Sequence, residues 1–431
     1  MVQISVIGCG YLGAVHSACM AQLGHKVVGI DVDQAKVDLL SSGSAPFFEP
    51  GLNDLLAADH GRLRFTTDAA AAAGSVVHFI AVGTPQVAGG NAADMTYVDA
   101  AIEALLPHIG PGHLVVGKST VPVGTAARLA ERMATTGARL VWNPEFLREG
   151  FAVSDTLAPD RFVYGVAAGD DCSTDQLDEV YATPLATGTP RIVTDYATAE
   201  LVKVSANAFL ATKISFINAM AEIAEATGAD VTTLADAIGH DARIGRRYLN
   251  AGIGFGGGCL PKDIRAFQAR ADELGLSSSL AFLDEVDQIN LRRRERVVQL
   301  VIEELGGLDG RRVAMLGLAF KPDSDDVRDS PALDVGRRLH ALGASVVASD
   351  PEAIPTSQRS APELRYEPDV RTALAGADAI VVATEWPQFR ELDPMEVASW
   401  TTARVIIDGR NCLDADAWRA AGFTYRGMGR S

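Results

Sequence analysis

The sequence has few cysteines, little positive charge and no long apolar run. No run of apolar residues approaches the length that spans a bilayer, and a strand begins directly after Met1, so we expect no membrane anchor, no signal peptide and a cytoplasmic location. With 38 basic against 55 acidic residues, the formal charge of −17 disfavours nonspecific binding of nucleic acid. An anionic ligand therefore has to be held by local cations or amide groups. The five cysteines lack Cys-x-x-Cys spacing, which predicts reduced thiols and argues against a disulfide framework or a zinc site: Cys9, Cys19, Cys172, Cys259 and Cys412.

The N-terminal residues follow the strand, glycine turn, helix and strand order of a βαβ unit. A β-rich run over residues 2–7 enters Gly8-Cys9-Gly10-Tyr11-Leu12-Gly13, a helix is predicted over residues 14–23, and a strand over residues 26–30 ends in Asp31. The first two glycines let a pyrophosphate approach the helix N-terminus, and the third lets helix and strand pack. Asp31 suits a ribose 2′-hydroxyl, so the pattern predicts NAD rather than NADP. Asp33 and Lys36 are either further contacts at the adenosine end or ordinary surface charges.

Further predicted strands end in residues that suit ligand binding. Residues 76–82 lead into Gly83-Thr84-Pro85, and residues 114–117 lead into a segment that contains Thr120. Ligands of open α/β sheets bind at the carboxyl ends of the strands, although both threonines would equally suit caps of the following helices. A strand over residues 140–142 runs into residues 143–150, whose three charges and one aromatic ring exceed what a connector needs.

The middle of the chain is predicted to be mainly helical. Residues 197–228 lack Gly and Pro until their end and place Lys203 and Asn207 one turn apart on one face. These side chains either point together at a substrate oxygen or belong to a solvated stripe of an amphipathic helix. A second long helix is predicted over residues 280–305, where Arg292-Arg293-Arg294 is interpreted as surface charge. Two long helices between α/β halves are typical of a spacer and an oligomer interface.

Residues 254–263, Gly-Phe-Gly-Gly-Gly-Cys-Leu-Pro-Lys-Asp, place one thiol on a glycine-rich turn. The four glycines allow a substrate to approach the backbone and let amide groups converge on an anion. Lys262 and Asp263 are near enough in sequence to favour the thiolate of Cys259 or to move its proton. The pattern indicates a nucleophile, and a tight turn around a buried structural cysteine is the alternative.

The last third of the chain, from about residue 310, is predicted to be a second α/β unit. Residues 313–320 open it as a strand, but no Gly-x-Gly-x-x-Gly motif follows, so we do not expect a second dinucleotide to bind there in the standard way. Lys321 and Arg328 then stand among carboxylates, and a strand over residues 405–408 is followed by Arg410. These cations either hold a nucleotide or make ordinary loop salt bridges.

Together these motifs resemble the UDP-glucose 6-dehydrogenase family of the nucleotide-sugar dehydrogenase superfamily. The resemblance covers essentially the whole chain and implies an α/β fold with two Rossmann-like domains joined by a long-helix central dimerisation segment. It implies an NAD-binding domain over residues 1–195, a central helical segment with the cysteine loop over 196–305, and a nucleotide-sugar-binding domain over 306–431. The motifs that carry it are GCGYLG at 8–13, VGTP at 82–85, KSTVPVGT at 118–125, NPEFLREG at 143–150, ELVKVSANAFLATKISFINA at 200–219, GFGGGCLPKD at 254–263 and GLAFKPDSDDVRDSP at 317–331.

The resemblance also implies an activity and a set of site residues. The enzyme would oxidise C6 of UDP-glucose to a carboxylate, reduce two NAD per turnover and pass through a Cys259 thiohemiacetal and thioester. The implied catalytic residues are Cys259, Lys203, Asn207, Asp263, Glu145 and Thr120, with the proton transfers undivided among Lys203, Asp263 and Glu145. The implied cofactor contacts are Gly8, Gly10, Tyr11, Leu12, Gly13, Asp31, Lys36, Thr84, Thr120, Glu145, Lys262 and Arg328. The implied substrate contacts are Phe146, Leu147, Glu149, Lys203, Asn207, Arg243, Tyr248, Leu249, Gly256, Gly257, Gly258, Phe320, Lys321 and Arg410. No metal is implied, and in a homodimer Arg243 would reach the partner's site.

Other functions share part of this pattern. A sibling enzyme that acts on TDP-glucose, GDP-mannose or UDP-N-acetylmannosamine would carry the same motifs. A two-electron hydroxyacid dehydrogenase has a similar Rossmann-plus-helices layout but makes no use of a thiol. A non-catalytic regulator that binds NAD or a nucleotide sugar would not require Cys259, Lys203, Asn207 and Asp263 together. We therefore expect an enzyme whose partner is a nucleotide sugar, not a nucleic acid or a membrane.

Overall fold

The computed structural model describes residues 1–58 and 61–430, which form two compact units. The first unit contains Met1–Ala206 and Arg265–Gly275, and the second contains Asn207–Ile264 and Leu276–Ser431. The central segment predicted for residues 196–305 is thus divided between the two units. The three domain boundaries of the sequence analysis stay a prediction.

The first unit is built on an eight-stranded sheet in the order β3-β2-β1-β4-β5-β6-β7-β8. All neighbours are parallel except β6 and β7, and the order reverses between β1 and β4, where doubly wound sheets open a crevice for ligands. Buried apolar clusters cover both faces, which is why β4 and β5 are wholly buried. The strands are β1 Gln3–Ile7, β2 Lys26–Ile30, β3 Leu63–Thr66, β4 Val77–Ile80, β5 Leu114–Gly117, β6 Arg139–Trp142, β7 Phe162–Val166 and β8 Arg191–Asp195.

Among the residues described in this unit, eight α-helices connect these strands, together with short 3₁₀ segments at Ala69–Gly74, Leu106–His108 and Ala134–Thr136. The helices are α1 Tyr11–Gln22, α2 Gln34–Ser41, α3 Leu52–Ala57, α4 Thr96–Leu105, α5 Thr125–Met133, α6 Ala152–Leu157, α7 Asp171–Val180 and α8 Ala182–Ala186. Strands β2 and β5 have the predicted bounds.

The middle of the chain is helical, as predicted. The 32-residue helix α9 Tyr196–Thr227 is followed by α10 Val231–Gly239, α11 Leu260–Glu273, α12 Ser277–Leu280 and α13 Phe282–Leu305. The division between the two units falls within α9 and again within α11.

The second unit contains a six-stranded parallel sheet in the order β11-β10-β9-β12-β13-β14. Its first strand ends at Leu316 rather than at the predicted residue 320, because Gly317, with φ of +105°, turns the chain. The strands are β9 Arg312–Leu316, β10 Ser345–Ser349, β11 Arg365–Tyr366, β12 Ala379–Val382, β13 Val405–Asp408 and β14 Thr424–Gly427. The helices are α14 Pro331–Ala341, α15 Ile354–Ser360, α16 Val370–Leu374, α17 Pro387–Arg390, α18 Pro394–Trp400 and α19 Ala415–Ala420. The predicted α/β class with two Rossmann-like sheets is confirmed.

The interpretation of the arginine triplet as surface charge is wrong for two of its members. Arg293 and Arg294 are only 1% and 3% exposed. Arg293 donates to Glu225 at 2.8 Å, and Arg294 donates to Asp329 at 2.9 Å. Both partners lie far away in the sequence, so the pattern of residues around the triplet gave no sign of these ion pairs.

Candidate active site

The glycines of the first turn have different physical roles. Gly8 has φ of +89° and donates its N–H to Ile30 O at 2.8 Å. A Cβ on Gly13 would lie 1.7 Å from the carbonyl oxygen of Gly8, so this glycine lets α1 pack against the turn. A Cβ on Gly10 would meet no described atom within 4 Å. The space beside Gly10 lies at the N-terminus of α1, where a pyrophosphate is expected, while Leu12 packs against the core.

Asp31 lies where an adenosine ribose is expected. Its carboxylate accepts the N–H of Cys9 at 2.7 Å, the N–H of Asp33 at 3.0 Å and the ammonium of Lys36 at 3.0 Å. Asp33 caps α2 through its side chain, whereas Lys36 reaches the same end of the sheet as Asp31. Of the two open candidates at the adenosine end, Lys36 therefore has the suitable position.

A buried carboxylate that sequence reasoning missed connects Tyr11 to the 143–150 loop. Glu49 accepts a hydrogen bond from the Tyr11 hydroxyl and from the N–H groups of Gly150 and Ala152, both at 2.7 Å. Burial and the charges of Glu49 and Glu149 raise the pKa of Tyr11 above its ordinary value. The loop that carries the predicted substrate contacts Phe146, Leu147 and Glu149 is thus tied to the dinucleotide turn.

Glu145 and Lys203 form a partly buried ion pair in the first unit. Their Oε1 and Nζ atoms are 3.0 Å apart, and Oε2 of Glu145 accepts the N–H of Leu147 at 2.7 Å. Two cations lie near the Phe146 ring, with Lys203 Nζ 5.6 Å and the Arg161 guanidinium 3.9 Å from its centre. Lys203 and Asn207 are both buried, which excludes the solvated stripe as an explanation of their spacing.

Thr84 and Thr120 contact each other and do not cap helices. The Thr84 hydroxyl donates to the carbonyl of Thr120 at 2.7 Å. Helix α4 begins only at Thr96, and the cap position of α5 is Gly124, so the capping alternative fails for both threonines. Glu200 accepts the N–H groups of Gly124 and Ala126 instead, both at 2.7 Å. Both threonines remain at the carboxyl edge of the sheet.

Lys118 is a buried cation that sequence reasoning did not single out. Its ammonium donates to Asn143 Oδ1 at 2.9 Å and to the Tyr181 hydroxyl at 3.3 Å, and both partners are uncharged. Burial lowers the pKa of Lys118 to about 8. The position of a lysine directly after the apolar strand β5 is the one signal that could have identified it.

In the second unit, Cys259 is the residue directly before helix α11. It is exposed, which excludes the alternative of a buried structural cysteine. Its carbonyl accepts the N–H of Asp263 at 2.9 Å, so it starts the helix. The preceding turn favours glycine, because a Cβ would lie 2.4 Å from the backbone oxygen of Asp329 at Gly256 and 2.9 Å from the Phe320 ring at Gly257, where φ is +85°. At Gly258 a Cβ would meet only the Arg328 guanidinium, at 2.3 Å, which is the end of a flexible side chain.

Asp263 is the buried carboxylate nearest in sequence to this thiol. One oxygen accepts the amide of Asn207 at 2.6 Å, and the other accepts the ammonium of Lys262 at 2.6 Å. An aspartate held by two fixed donors can position a proton or a water. The structure thus brings Asn207, Lys262 and Asp263 together in the second unit.

The other predicted contacts of the second unit have varied surroundings. Arg410 donates to the carbonyls of Ala383 at 2.8 Å, Gly254 at 2.9 Å and Phe320 at 2.9 Å. The Nζ atom of Lys321 lies 5.5 Å from the ring centre of Phe320. Three further candidates are Leu249, which is buried, Tyr248, which has φ of +66°, and Arg243, whose side chain is 89% exposed and pairs with Asp241 at 2.6 Å.

The described residues, 1–58 and 61–430, contain no helix long and apolar enough to cross a membrane. Within the same ranges, no group of three or more His, Cys, Asp or Glu side chains could hold a metal ion.

A glycine-rich dinucleotide turn at the end of the first strand of an open α/β sheet is typical of a dinucleotide-dependent dehydrogenase. The chain belongs to the UDP-glucose/GDP-mannose dehydrogenase family. The NAD binding domain of this family matches residues 2–185, the central domain matches residues 197–292, and the UDP binding domain matches residues 314–415. The family inferred from the motifs and NAD as the cofactor are confirmed.

Similar proteins extend over the full length. The chain is 41% identical to UDP-glucose 6-dehydrogenase TuaD of Bacillus subtilis, over 100% of this chain and 94% of that protein. It is 40% identical to a UDP-glucose 6-dehydrogenase of Rhizobium meliloti, over 100% of both chains. The structure of a UDP-glucose dehydrogenase from Pyrobaculum islandicum is similar with a TM-score of 0.91 and 40% identity, covering 100% of this chain and 98% of that one.

Substitutions of Gly10 and Gly13 should separate cofactor binding from folding. We expect Gly13→Ala to destabilise the first unit by roughly 1–3 kcal/mol or more, because its Cβ would overlap the Gly8 carbonyl. We expect Gly10→Ala to keep the wild-type melting temperature but to bind NAD about tenfold or more weakly, since the methyl group fills the pyrophosphate space. Calorimetric titration with NAD and thermal unfolding measure both effects. Wild-type NAD affinity in Gly10→Ala would contradict this role.

Lys118→Met should change how stability depends on pH. Because the folded state lowers the pKa of Lys118 from 10.5 to about 8, the unfolded chain binds more protons between these pH values. Stability of the wild type should therefore rise from pH 8 to 10.5 by about 3 kcal/mol relative to the variant, and the difference should be constant below pH 8. Melting temperatures across this range provide the measurement, with the exposed Lys26→Met as the matched control. Parallel pH curves for wild type and Lys118→Met would refute the assignment.

Proposed function

We propose that this protein oxidises UDP-glucose to UDP-glucuronate, with two NAD reduced per turnover. The observation that carries the proposal is Cys259, an exposed thiol that follows a turn in which Gly256 and Gly257 have no room for a side chain. It lies at the N-terminus of a 14-residue helix, and such an end stabilises negative charge. Full-length relatives at 40–41% identity bear the name UDP-glucose 6-dehydrogenase, which supports this substrate.

The thiol explains how one enzyme makes an acid from an alcohol. Oxidation of C6 first gives an aldehyde, and Cys259 Sγ then adds to its carbonyl carbon to form a thiohemiacetal. Loss of a second hydride from that carbon gives a thioester, and water releases the carboxylate and restores the thiol. NAD, when bound, supplies the acceptor for each hydride. Gly8, Gly10, Gly13, Asp31 and Lys36 would hold it, because they have the space and the polar groups described above.

The proton transfers are assigned to residues of helix α9 and their partners. Lys203 and Asn207 are one turn apart on this helix and would stabilise the oxyanion that develops on C6. Lys203 has Glu145 as its partner, and Asn207 has Asp263. Each pair therefore contains a donor to the oxyanion and a carboxylate that can accept a proton or orient the hydrolytic water, and Thr120 would assist in holding that water.

We also infer that the protein forms a homodimer in the cytoplasm. Phe209, Phe216 and Ile223 are 66%, 48% and 56% exposed and are spaced by seven residues along α9, so they form one apolar stripe. A second copy of the same stripe would cover it, as in a two-stranded coiled coil. Arg243, which is largely exposed, would then reach the substrate of the partner subunit.

Cys259→Ser should abolish formation of UDP-glucuronate. The wild type should release two NADH per UDP-glucose, and the variant should lose at least roughly 10³-fold in rate, because a serine hydroxyl is not activated in this setting. NADH absorbance and chromatography of the products measure this, with the exposed Cys172→Ser as control. Release of only one NADH per UDP-glucose by the wild type would instead indicate a two-electron dehydrogenase. Faster turnover of TDP-glucose, GDP-mannose or UDP-N-acetylmannosamine than of UDP-glucose would indicate a sibling enzyme.

Phe216→Glu should convert the dimer to monomers, because it places a charge in the middle of the apolar stripe. Light scattering after size exclusion measures the mass, and Leu342→Glu, at an exposed apolar residue outside the stripe, is the control. Inactive Arg243→Ala and Cys259→Ser chains should restore activity when dissociated and reassociated together, since a mixed dimer contains one intact site. If the mixture stays inactive although dimers form, Arg243 does not act across the interface.

A further inference from the structure

The backbone just before the three glycines is held by side chains rather than by a neighbouring strand. The N–H of Phe255 donates to Asn290 Oδ1 at 2.7 Å, and the carbonyl of Phe255 accepts Asn290 Nδ2 at 2.9 Å. One amide side chain thus satisfies both polar groups of one residue. Asn290 is fully buried on α13, where an unpaired amide would be unfavourable.

The loop is shaped to receive Asn290. Gly254 has φ of +102°, and a Cβ there would lie 2.4 Å from Asn290 Oδ1 and 3.0 Å from its backbone oxygen. Any residue other than glycine at 254 would push Asn290 away. Glycine at this position therefore serves the contact with α13 as well as the turn.

Arg294, one turn further along α13, extends the same anchor. Its Nη2 donates to the carbonyls of Phe255 and Asp329, both at 3.3 Å, and its Nη1 donates to Asp329 Oδ1 at 2.9 Å. The N–H of Gly257 then donates to the carbonyl of Arg328 at 2.9 Å. Residues 254–257 are consequently fixed to α13 and to the 328–329 segment, two residues before the thiol.

We propose that Asn290 is a positioning residue for the nucleophile: it fixes the Gly254–Phe255 backbone so that Gly256, Gly257 and Gly258 deliver Cys259 to the N-terminus of α11. This inference rests on the proposed function, in which Cys259 attacks the aldehyde. A displacement of about 1 Å of a reacting group can cost roughly 10²-fold in rate. Asn290 touches neither substrate nor cofactor in this assignment and acts through the loop.

The test compares two isosteric substitutions. Asn290→Asp places a carboxylate oxygen against the Phe255 carbonyl. Asn411→Asp is the matched control, because Asn411 bonds both the N–H and the carbonyl of Met428 at 2.8 Å and has a further bond to Ala251 O at 3.2 Å. In Asn290→Asp we expect kcat/KM for UDP-glucose to fall by roughly 10²-fold with unchanged NAD affinity. In Asn411→Asp we expect kcat/KM within about threefold of the wild type.

Alkylation by iodoacetamide gives a readout that is independent of turnover. Because Cys259 is already exposed, a looser loop adds little access but shifts Sγ from its position at the helix N-terminus, where the reactive thiolate is favoured. Peptide mass spectrometry should therefore show about tenfold slower alkylation of Cys259 in Asn290→Asp, with unchanged alkylation of Cys172 in the same molecules. An enzyme that fails to oxidise UDP-glucose but shows this difference would refute the proposed function and not the anchor.

Two results would overturn the inference. The first is an Asn290→Asp protein with wild-type alkylation and turnover. The second is rapid hydrogen exchange of the Phe255 amide in the unsubstituted enzyme, since the proposal requires that amide to be protected. If Asn290→Asp does not fold, Asn290→Ala, which adds no charge, takes its place. We expect the same losses of turnover and of Cys259 alkylation, and wild-type values of both would overturn the inference.

Discussion

Each sheet depends on a glycine that turns the chain at the carboxyl end of its first strand. After β1, Gly8 has φ of +89°, donates to Ile30 O at 2.8 Å and lies so near Val82 that a Cβ would be 2.7 Å from that side chain. After β9, Gly317 has φ of +105°, donates to Ser349 O at 2.8 Å and would place a Cβ 2.4 Å from Thr384. An L side chain at either position would meet both backbone strain and a clash. Because the turn directs the next loop across the strand ends, the ligand-binding edge of each unit depends on this one residue.

The two units diverge in the acid that follows their second strand. Asp31 accepts two backbone N–H groups and the ammonium of Lys36. Lys36 is carried on a flexible side chain, so in the proposed function it would give way to a ribose. Asp350, the corresponding residue after β10, accepts four backbone N–H groups and the indole N–H of Trp386. A carboxylate has about four lone-pair sites, and the donors around Asp350 belong to the buried framework. The second acid is therefore a structural residue, which agrees with the missing Gly-x-Gly-x-x-Gly motif and with the match to a UDP binding domain in place of a second NAD domain.

The features that were predictable from the sequence are those set by neighbouring residues. Bounds of β2, β5 and β13 follow from short apolar runs, and the turn at Gly8 follows from local glycine spacing. The charged residues with distant partners were not predictable. In the sequence, Glu49 is about 100 residues from the amides whose hydrogen bonds it accepts, and Arg293 is 68 residues from Glu225. A charge is buried when a partner from elsewhere removes the cost of desolvation, and no local pattern contains that partner. Distant partners also explain why Arg293 and Arg294 are buried, whereas Arg292 beside them is partly exposed.

Arg410, which the sequence analysis places at the substrate, also holds several loops of the second unit together. Its guanidinium has five N–H groups, and three of its hydrogen bonds go to carbonyls at the end of β12, in the cysteine loop and at the start of the 321–331 loop. These bonds fix the plane of the guanidinium before any ligand arrives. Arg410 also forms an ion pair with Glu385 at 3.2 Å. In the proposed function, the remaining N–H groups would meet a nucleotide oxygen without a further loss of side-chain entropy. The prediction that Arg410 binds the substrate is thus compatible with its observed bonds to the backbone, because these three bonds leave two of the five N–H groups of the guanidinium unused.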